Sequence, residues 1–171
     1  STKGYVGPDD AQSSEQFELC MAFLQENGWQ HYEISNYCLP GKAAVHNTAY
    51  WQNLQYIGFG PSAHSYDGQS RSWNIADLRA YSEALMSGNL PETRELLSAA
   101  DRYNEYVMTG LRTMWGISYT KLLQMCHNDL EVQQHLQRHL NNGDIIRQED
   151  TLTLSQKGKL YADAIASDLF L

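Results

Sequence analysis

An α+β fold is predicted, with an aromatic, glycine-punctuated N-terminal part running into a mostly helical, winged-helix-like C-terminal part. Three observations predict it. Beyond residue 98, capped amphipathic stretches follow one another at helical spacing. Two short strand patterns, 145–147 and 151–154, flank Gln148-Glu149-Asp150 between the third of these stretches and the last. Before residue 75, strand-length runs and turn residues prevail. They centre on residues 31–66, which hold three of the six histidines and a Gly58-x-Gly60 turn.

Taken in order, residues 1–12 read as loop, with Gly4, Gly7, Pro8 and an Asp pair. Ser13-x-x-Gln16 is a capping box that predicts a helix start. Phe17, Cys20, Met21 and Leu24 then form one apolar stripe, and Gly28 is a natural stop. Residues 31–35 read as a short strand with Tyr32 and Ile34 on one face. Helix, glycine and strand make half of an α/β unit, and a lone strand needs partners. Residues 36–53 read as a long loop, and loops of that length are usually functional. Residues 55–58 read as a second short strand. Residues 62–66 and 69–73, joined by Asp67-Gly68, read as a hairpin with a type I′ turn. Asn74 is placed as the cap of a helix burying Leu78, Tyr81 and Leu85, with Gly88 as its end. Residues 89–94, with Pro91, read as a linker.

Ser98-x-x-Asp101 then launches a helix with Tyr103, Tyr106, Val107, Gly110, Leu111 and Met114, stopped by Gly116. Ser118 caps a helix with Leu122, Leu123 and Cys126. Asp129 starts one with Val132, Leu136, His139 and Leu140, closed by Gly143. Ser155 caps a last helix bearing Gly158, Tyr161, Ile165 and Leu169.

Composition narrows the function. At 42% hydrophobic and 19% charged residues the chain is globular rather than disordered. Its net charge of −8 divides evenly about residue 75, so neither half is a basic module, which argues against nucleic acid as partner. Three scattered cysteines, Cys20, Cys38 and Cys126, suit a reducing compartment better than a disulfide framework. They lack the spacing for a zinc or iron–sulfur site. No apolar run approaches a membrane span, and no signal peptide is visible. The chain opens on Ser1 rather than Met, as a piece of a longer protein does.

Candidate chemistry gathers in one stretch. His46 offers an imidazole lone pair to a metal, with Asn47 beside it to orient the ring. Tyr50 and Trp51 offer a flat wall for a planar ligand. The same four residues also suit a turn cap and core packing. Gly58 and Gly60 allow close backbone approach to a ligand, or merely a tight turn. Ala63 and His64 lie just past that turn. Glu33, a charge in an apolar strand, suits a ligand amine or pairing with a missing part of the protein. His135 and His139 are four apart on a helix but have no third ligand.

The motifs in order resemble one family. They are Tyr32-Glu33-Ile34-Ser35-Asn36-Tyr37, Pro40-Gly41, His46-Asn47-x-x-Tyr50-Trp51, and Tyr56-Ile57-Gly58-Phe59-Gly60-Pro61-Ser62-Ala63-His64-Ser65. Farther on come Leu111-Arg112-Thr113-x-x-Gly116-Ile117 and Leu152-Thr153-x-x-x-x-Gly158. Together they resemble the HemW family of radical-SAM heme chaperones, the oxygen-independent coproporphyrinogen III oxidase-like proteins. The His-Asn-x-x-Tyr-Trp motif separates this family from the true coproporphyrinogen dehydrogenases.

The resemblance implies that residues 1–66 are the C-terminal end of a (β/α)6 radical-SAM barrel. Residues 67–97 would be hairpin, helix and linker, and residues 98–171 the winged-helix-like domain. It implies heme as ligand, with His46, Asn47, Tyr50 and Trp51 as contacts and His46 as candidate iron ligand. Gly58, Gly60, Ala63 and His64 would lie near the S-adenosylmethionine and substrate pocket. The family's Cys-x3-Cys-x2-Cys motif for a 4Fe–4S cluster is absent from the sequence. The resemblance therefore implies no radical chemistry by this chain alone, though the parent protein would carry cluster and S-adenosylmethionine. It further implies heme-acceptor proteins as partners and a cytoplasmic location, peripheral to the inner membrane. Unpaired sheet edges would favour a homodimer. The rival readings are a piece of a coproporphyrinogen III dehydrogenase and a winged-helix interaction module.

Overall fold

The computed structural model describes Gly7 and residues 9–171. The loop expected over residues 1–12 therefore falls largely outside the described residues. Helix α1 (Asp10–Glu26) starts three residues before the Ser13 capping pattern. Asp9 is its cap, and its carboxylate accepts from the Gln12 amide at 2.8 Å. A carboxylate there both satisfies a free amide and suits the positive end of the helix. Gly28, at φ +80°, terminates the helix. Of the expected stripe only Met21 is buried, while Leu19 and Phe23 are exposed on another face.

The strand expected over 31–35 is shorter and turns back at once. β1 (Gln30–Glu33) pairs antiparallel with β2 (Asn36–Cys38), so the long loop expected from residue 36 begins as a strand. The far edge of β1 is bonded as well. The Ile34 amide donates to the Arg112 carbonyl at 3.0 Å, and the Met114 amide to the Tyr32 carbonyl at 3.1 Å. The same expected loop then contains α2 (Val45–Trp51). Its cap, Ala44, makes no side-chain bond, so no start signal was legible.

β3 (His64–Tyr66), β4 (Ser70–Asn74) and β5 (Glu92–Leu96) form an antiparallel sheet in that order. The strand expected over 55–58 shrinks to one bridge, Tyr56 to Tyr66. The turn after β3 is not type I′. That type needs positive φ at both central residues, and here Gly68 has φ +92° while Gln69 does not share it. The 89–94 linker is corrected to β5, an edge strand exposed along its whole length. Helix α3 (Leu78–Met86) is capped by Asp77 rather than Asn74, and it has no buried residue. Asn74 instead ends β4 and donates to the Gly60 carbonyl at 2.9 Å.

From Ser98 the expectations hold closely. α4 (Ala99–Leu111) carries the full Ser98–Asp101 capping box, but it ends at Leu111, short of Met114 and the expected stop at Gly116. β6 (Ile117–Ser118), which was not foreseen, leads into α5 (Tyr119–Met125), capped by Ser118. α6 (Leu130–Asn141) is capped by Asp129. β7 (Ile145–Gln148) and β8 (Thr151–Leu154) pair as expected, and β6 joins them in the order β6-β8-β7. The last helix is divided into α7 (Gln156–Lys159), capped by Ser155, and α8 (Ala162–Asp168). The hydrophobic core lies in this part, around Tyr103, Val107, Leu122, Leu136, Leu152 and Leu169. No described helix is long and apolar enough to cross a membrane.

Candidate functional site

The structure lifts the His46 motif out of a loop and onto α2, where spacing decides which side chains meet. His46 and Tyr50 are four apart, and their rings touch edge to face at 4.8 Å. Tyr50 makes the same kind of contact with Tyr56, again at 4.8 Å. Tyr56 and Tyr66, paired across the bridge, follow at 6.1 Å. Below them the Arg71 guanidinium meets Glu105 of α4 at 2.9 Å. Burial raises the pKa of Tyr56, Tyr66 and Glu105 alike. His46 is exposed, and among the described residues no hydrogen bond occupies its ring nitrogens. Val45, next to it in sequence, and Leu54, past the end of α2, are exposed as well.

Asn47 is exposed, and Trp51 takes another face of the helix. The Arg112 guanidinium sits over the Trp51 ring at 5.5 Å. Arg112 also bonds Glu33 at 3.0 Å and Asp163 at 2.7 Å. Glu33 accepts further from the Ser35 amide and the Asn36 side chain. Glu33 therefore pairs with Arg112 of this same chain, not with a ligand amine or a missing part of the protein. Sequence reasoning marked the charge but not its partner, although Arg112 stands inside a quoted motif.

Gly58 has a firm packing reason to be glycine. A Cβ there would collide with the His64 backbone, and the Gly58 amide donates to Ser65 Oγ at 3.0 Å. Gly60 has open space around its Cα and a φ of +98°. Gly58→Ala is therefore expected to destabilise the chain by about 1–3 kcal/mol through forced backbone movement. Thermal unfolding checks this, and an unchanged melting temperature would refute it. The Asn74 amide donates to the Ala63 carbonyl at 3.0 Å, which pins the turn to β4. His64 rests near Trp73 at 6.1 Å and lines a hollow of about 580 Å³ with Ser62 and Asn74. A groove of about 720 Å³ runs over the opposite sheet face from Tyr56 to Arg94, and neither hollow is lined by His46.

Asp67 holds the β3–β4 turn together. It accepts from the Gln69 and Ser70 amides and from Ser70 Oγ, with Arg94 at 3.3 Å. These bonds, the Ser70 hydroxyl first, pull its pKa down to about 2. A depressed folded pKa means that the contribution is present above the ordinary carboxylate value of 3.8 and is lost as pH falls through about 2. The Asp67 carboxyl carbon is expected to titrate with a midpoint near 2 by NMR. A midpoint at its ordinary value would refute the bonding.

His135 and His139 have structural partners. His139 lies 3.1 Å from Asp144 and 3.0 Å from Asp168, and His135 meets the Asp168 carbonyl. Cys20 is exposed, while Cys38 and Cys126 are buried, and all three are free thiols. Among the described residues no group of three or more His, Cys, Asp or Glu gathers for a metal. The cysteines of this chain do not fit a 4Fe–4S cluster, which needs thiolate ligands together. An exposed imidazole with open ring nitrogens, as at His46, is chemically able to hold a metal such as a heme iron.

No protein-family model matches the chain. The heme chaperone HemW of Mycobacterium tuberculosis is 33% identical over 165 residues, which is 96% of this chain and 41% of that protein. Bacillus subtilis HemW is 29% identical over 162 residues, 92% of this chain and 42% of that protein. A mitochondrial radical S-adenosyl methionine domain-containing protein 1 from Bos taurus is 34% identical over 121 residues, covering 66% and 27%. The chain therefore spans about two fifths of the length of the HemW relatives it matches. Among solved structures, the coproporphyrinogen III oxidase HemN of Escherichia coli, a radical SAM enzyme, superposes with a TM-score of 0.68. It is 19% identical and covers 95% of this chain and 42% of that one, so the likeness speaks for the fold. Sequence and fold thus agree: over nearly its whole length the chain is similar to part of the HemW heme chaperones, and it shares its fold with part of HemN.

Proposed function

We propose that this chain is the heme-binding C-terminal portion of a heme chaperone whose parent passes heme to acceptor proteins. The observation that carries the reading is the exposed His46 ring, braced by Tyr50 and free at its nitrogens, in a chain 33% identical to a HemW protein. In this reading His46 would hold the heme iron, and Tyr50 would offer an aromatic face beside it. Asn47 and Trp51 hold the helix that presents them. Bound heme would supply the iron, and this chain's part is to present and orient the ligand. Gly58, Gly60, Ala63 and His64 form the turn nearest the parent's S-adenosylmethionine and substrate pocket. The parent would hold its 4Fe–4S cluster on cysteines outside this sequence.

The same proposal takes residues 1–66 as the end of a radical-SAM barrel and 98–171 as a winged-helix-like domain. The order α4, β6, α5, α6, β7, β8 and the β6-β8-β7 sheet support the second assignment. The acceptors are proteins rather than nucleic acid, because the exposed face of α6 offers Gln134, Gln137 and Asn141 with Arg138 as its one arginine. The location proposed is the cytoplasm at the periphery of the inner membrane, with a homodimer as the assembly. The test compares heme binding and coproporphyrinogen III turnover by the full-length protein. Stoichiometric heme binding without consumption of coproporphyrinogen III is expected. Decarboxylation of coproporphyrinogen III at enzymatic rates would overturn the chaperone reading.

A further inference from the structure

A third pocket, of about 510 Å³, opens where α1, the β1–β2 turn and the α7–α8 junction meet. Ser13, Ser14 and Ser35 contribute hydroxyls, Phe17 and Ile34 contribute apolar wall, and Lys159 and Arg112 contribute charge. Arg112 is already held by Glu33 and Asp163. Lys159 is half-buried and pairs with no carboxylate among the described residues, and residues 1–6 and 8 contain none.

Its neighbour is His31. The Nε2 of that ring lies 2.8 Å from the Ile34 carbonyl, which only accepts, so Nε2 bears the proton. Nδ1 is then a lone pair, and it takes one N–H of the Lys159 ammonium at 3.1 Å. Two of the three ammonium protons stay free for a ligand. Burial lowers the pKa of Lys159 and, with Lys159 close by, that of His31. An ammonium partly stripped of water and without a counter-ion, in a pocket that also carries serine hydroxyls, favours an anion. The apolar wall favours one with a hydrocarbon body. A single unpaired cation beside Asp163 favours one negative charge over two.

We propose that this pocket binds a small organic monocarboxylate, its carboxylate on Lys159 and its body against Phe17 and Ile34. The inference is independent of the heme reading. Butyrate is the probe, titrated into the 171-residue chain and followed by amide NMR shifts. Saturable shifts at Ser35 and Ala162 are expected, with a Kd on the order of 1–10 mM. Lys159→Gln is expected to weaken binding at least ~10-fold, the loss of one charge-assisted contact. Lys157→Gln, which removes the neighbouring exposed lysine, is expected to leave it unchanged. Should Lys159→Gln not fold, the wild-type shift map decides. Shifts scattered over surface lysines, or none at the pocket, overturn the proposal. Equal binding by Lys159→Gln overturns it too, and tighter binding of inorganic phosphate than of butyrate overturns the monocarboxylate assignment.

Discussion

Arg112→Ala is expected to destabilise the chain by about 3–5 kcal/mol, because it strands a buried carboxylate. The Glu33 side chain is 1% exposed and that of Arg112 is 19% exposed, with 3.0 Å between them. Removing the guanidinium leaves the Glu33 charge with only the Ser35 amide and the Asn36 side chain. The loss extends past the pair. Arg112 also supports the Trp51 ring and meets Asp163, so α2 loses a brace at its C-terminal end. Urea unfolding measures the cost. The double variant Glu33→Gln with Arg112→Met is expected to recover much of it, since a neutral buried pair carries no desolvation debt. A single-variant loss below about 1 kcal/mol would show that Glu33 reaches water or another cation, and would refute the buried pair.

Gly116→Ala is expected to cost on the order of 3 kcal/mol, from two sources that add. Gly116 sits at φ +64°, where a side chain costs about 1–2 kcal/mol. A Cβ there would also collide with the Leu152 carbonyl and crowd the Thr153 methyl of β8, adding about 1–3 kcal/mol of overpacking. The position lies immediately before β6, so the damage falls on the edge where β6 meets β8. A loss confined to about 1 kcal/mol would mean that β8 moves aside freely. Gly143→Ala is the control, with φ +72° and open space around it.

How much of this was legible in the sequence depends on whether a residue announces its own role. Ser98, Ser118, Asp129 and Ser155 do so, because a cap acts within three residues of itself. The helices beyond residue 98 could therefore be read directly. α2 could not, since Ala44 caps it without a side-chain bond. β5 could not either. Its five residues are all exposed, so no alternation marks them, and only the register with β4 makes them a strand. The candidate site was legible by motif and only partly by physics. His46 and Tyr50 meet because a helix sets them four apart, yet the sequence suggested a loop. Glu33 stood out as a charge in an apolar strand, but nothing local pointed across to Arg112. Gly58 looked like a ligand-approach glycine, and the structure gives it a backbone to pack against.

The central claim is that heme meets this protein at His46. Heme titration of the full-length protein, wild type against His46→Ala, tests it most directly. The account predicts that His46→Ala shifts the Soret band and weakens heme binding at least ~10-fold, as expected if the imidazole holds the iron. An unchanged Soret band with unchanged affinity would contradict it.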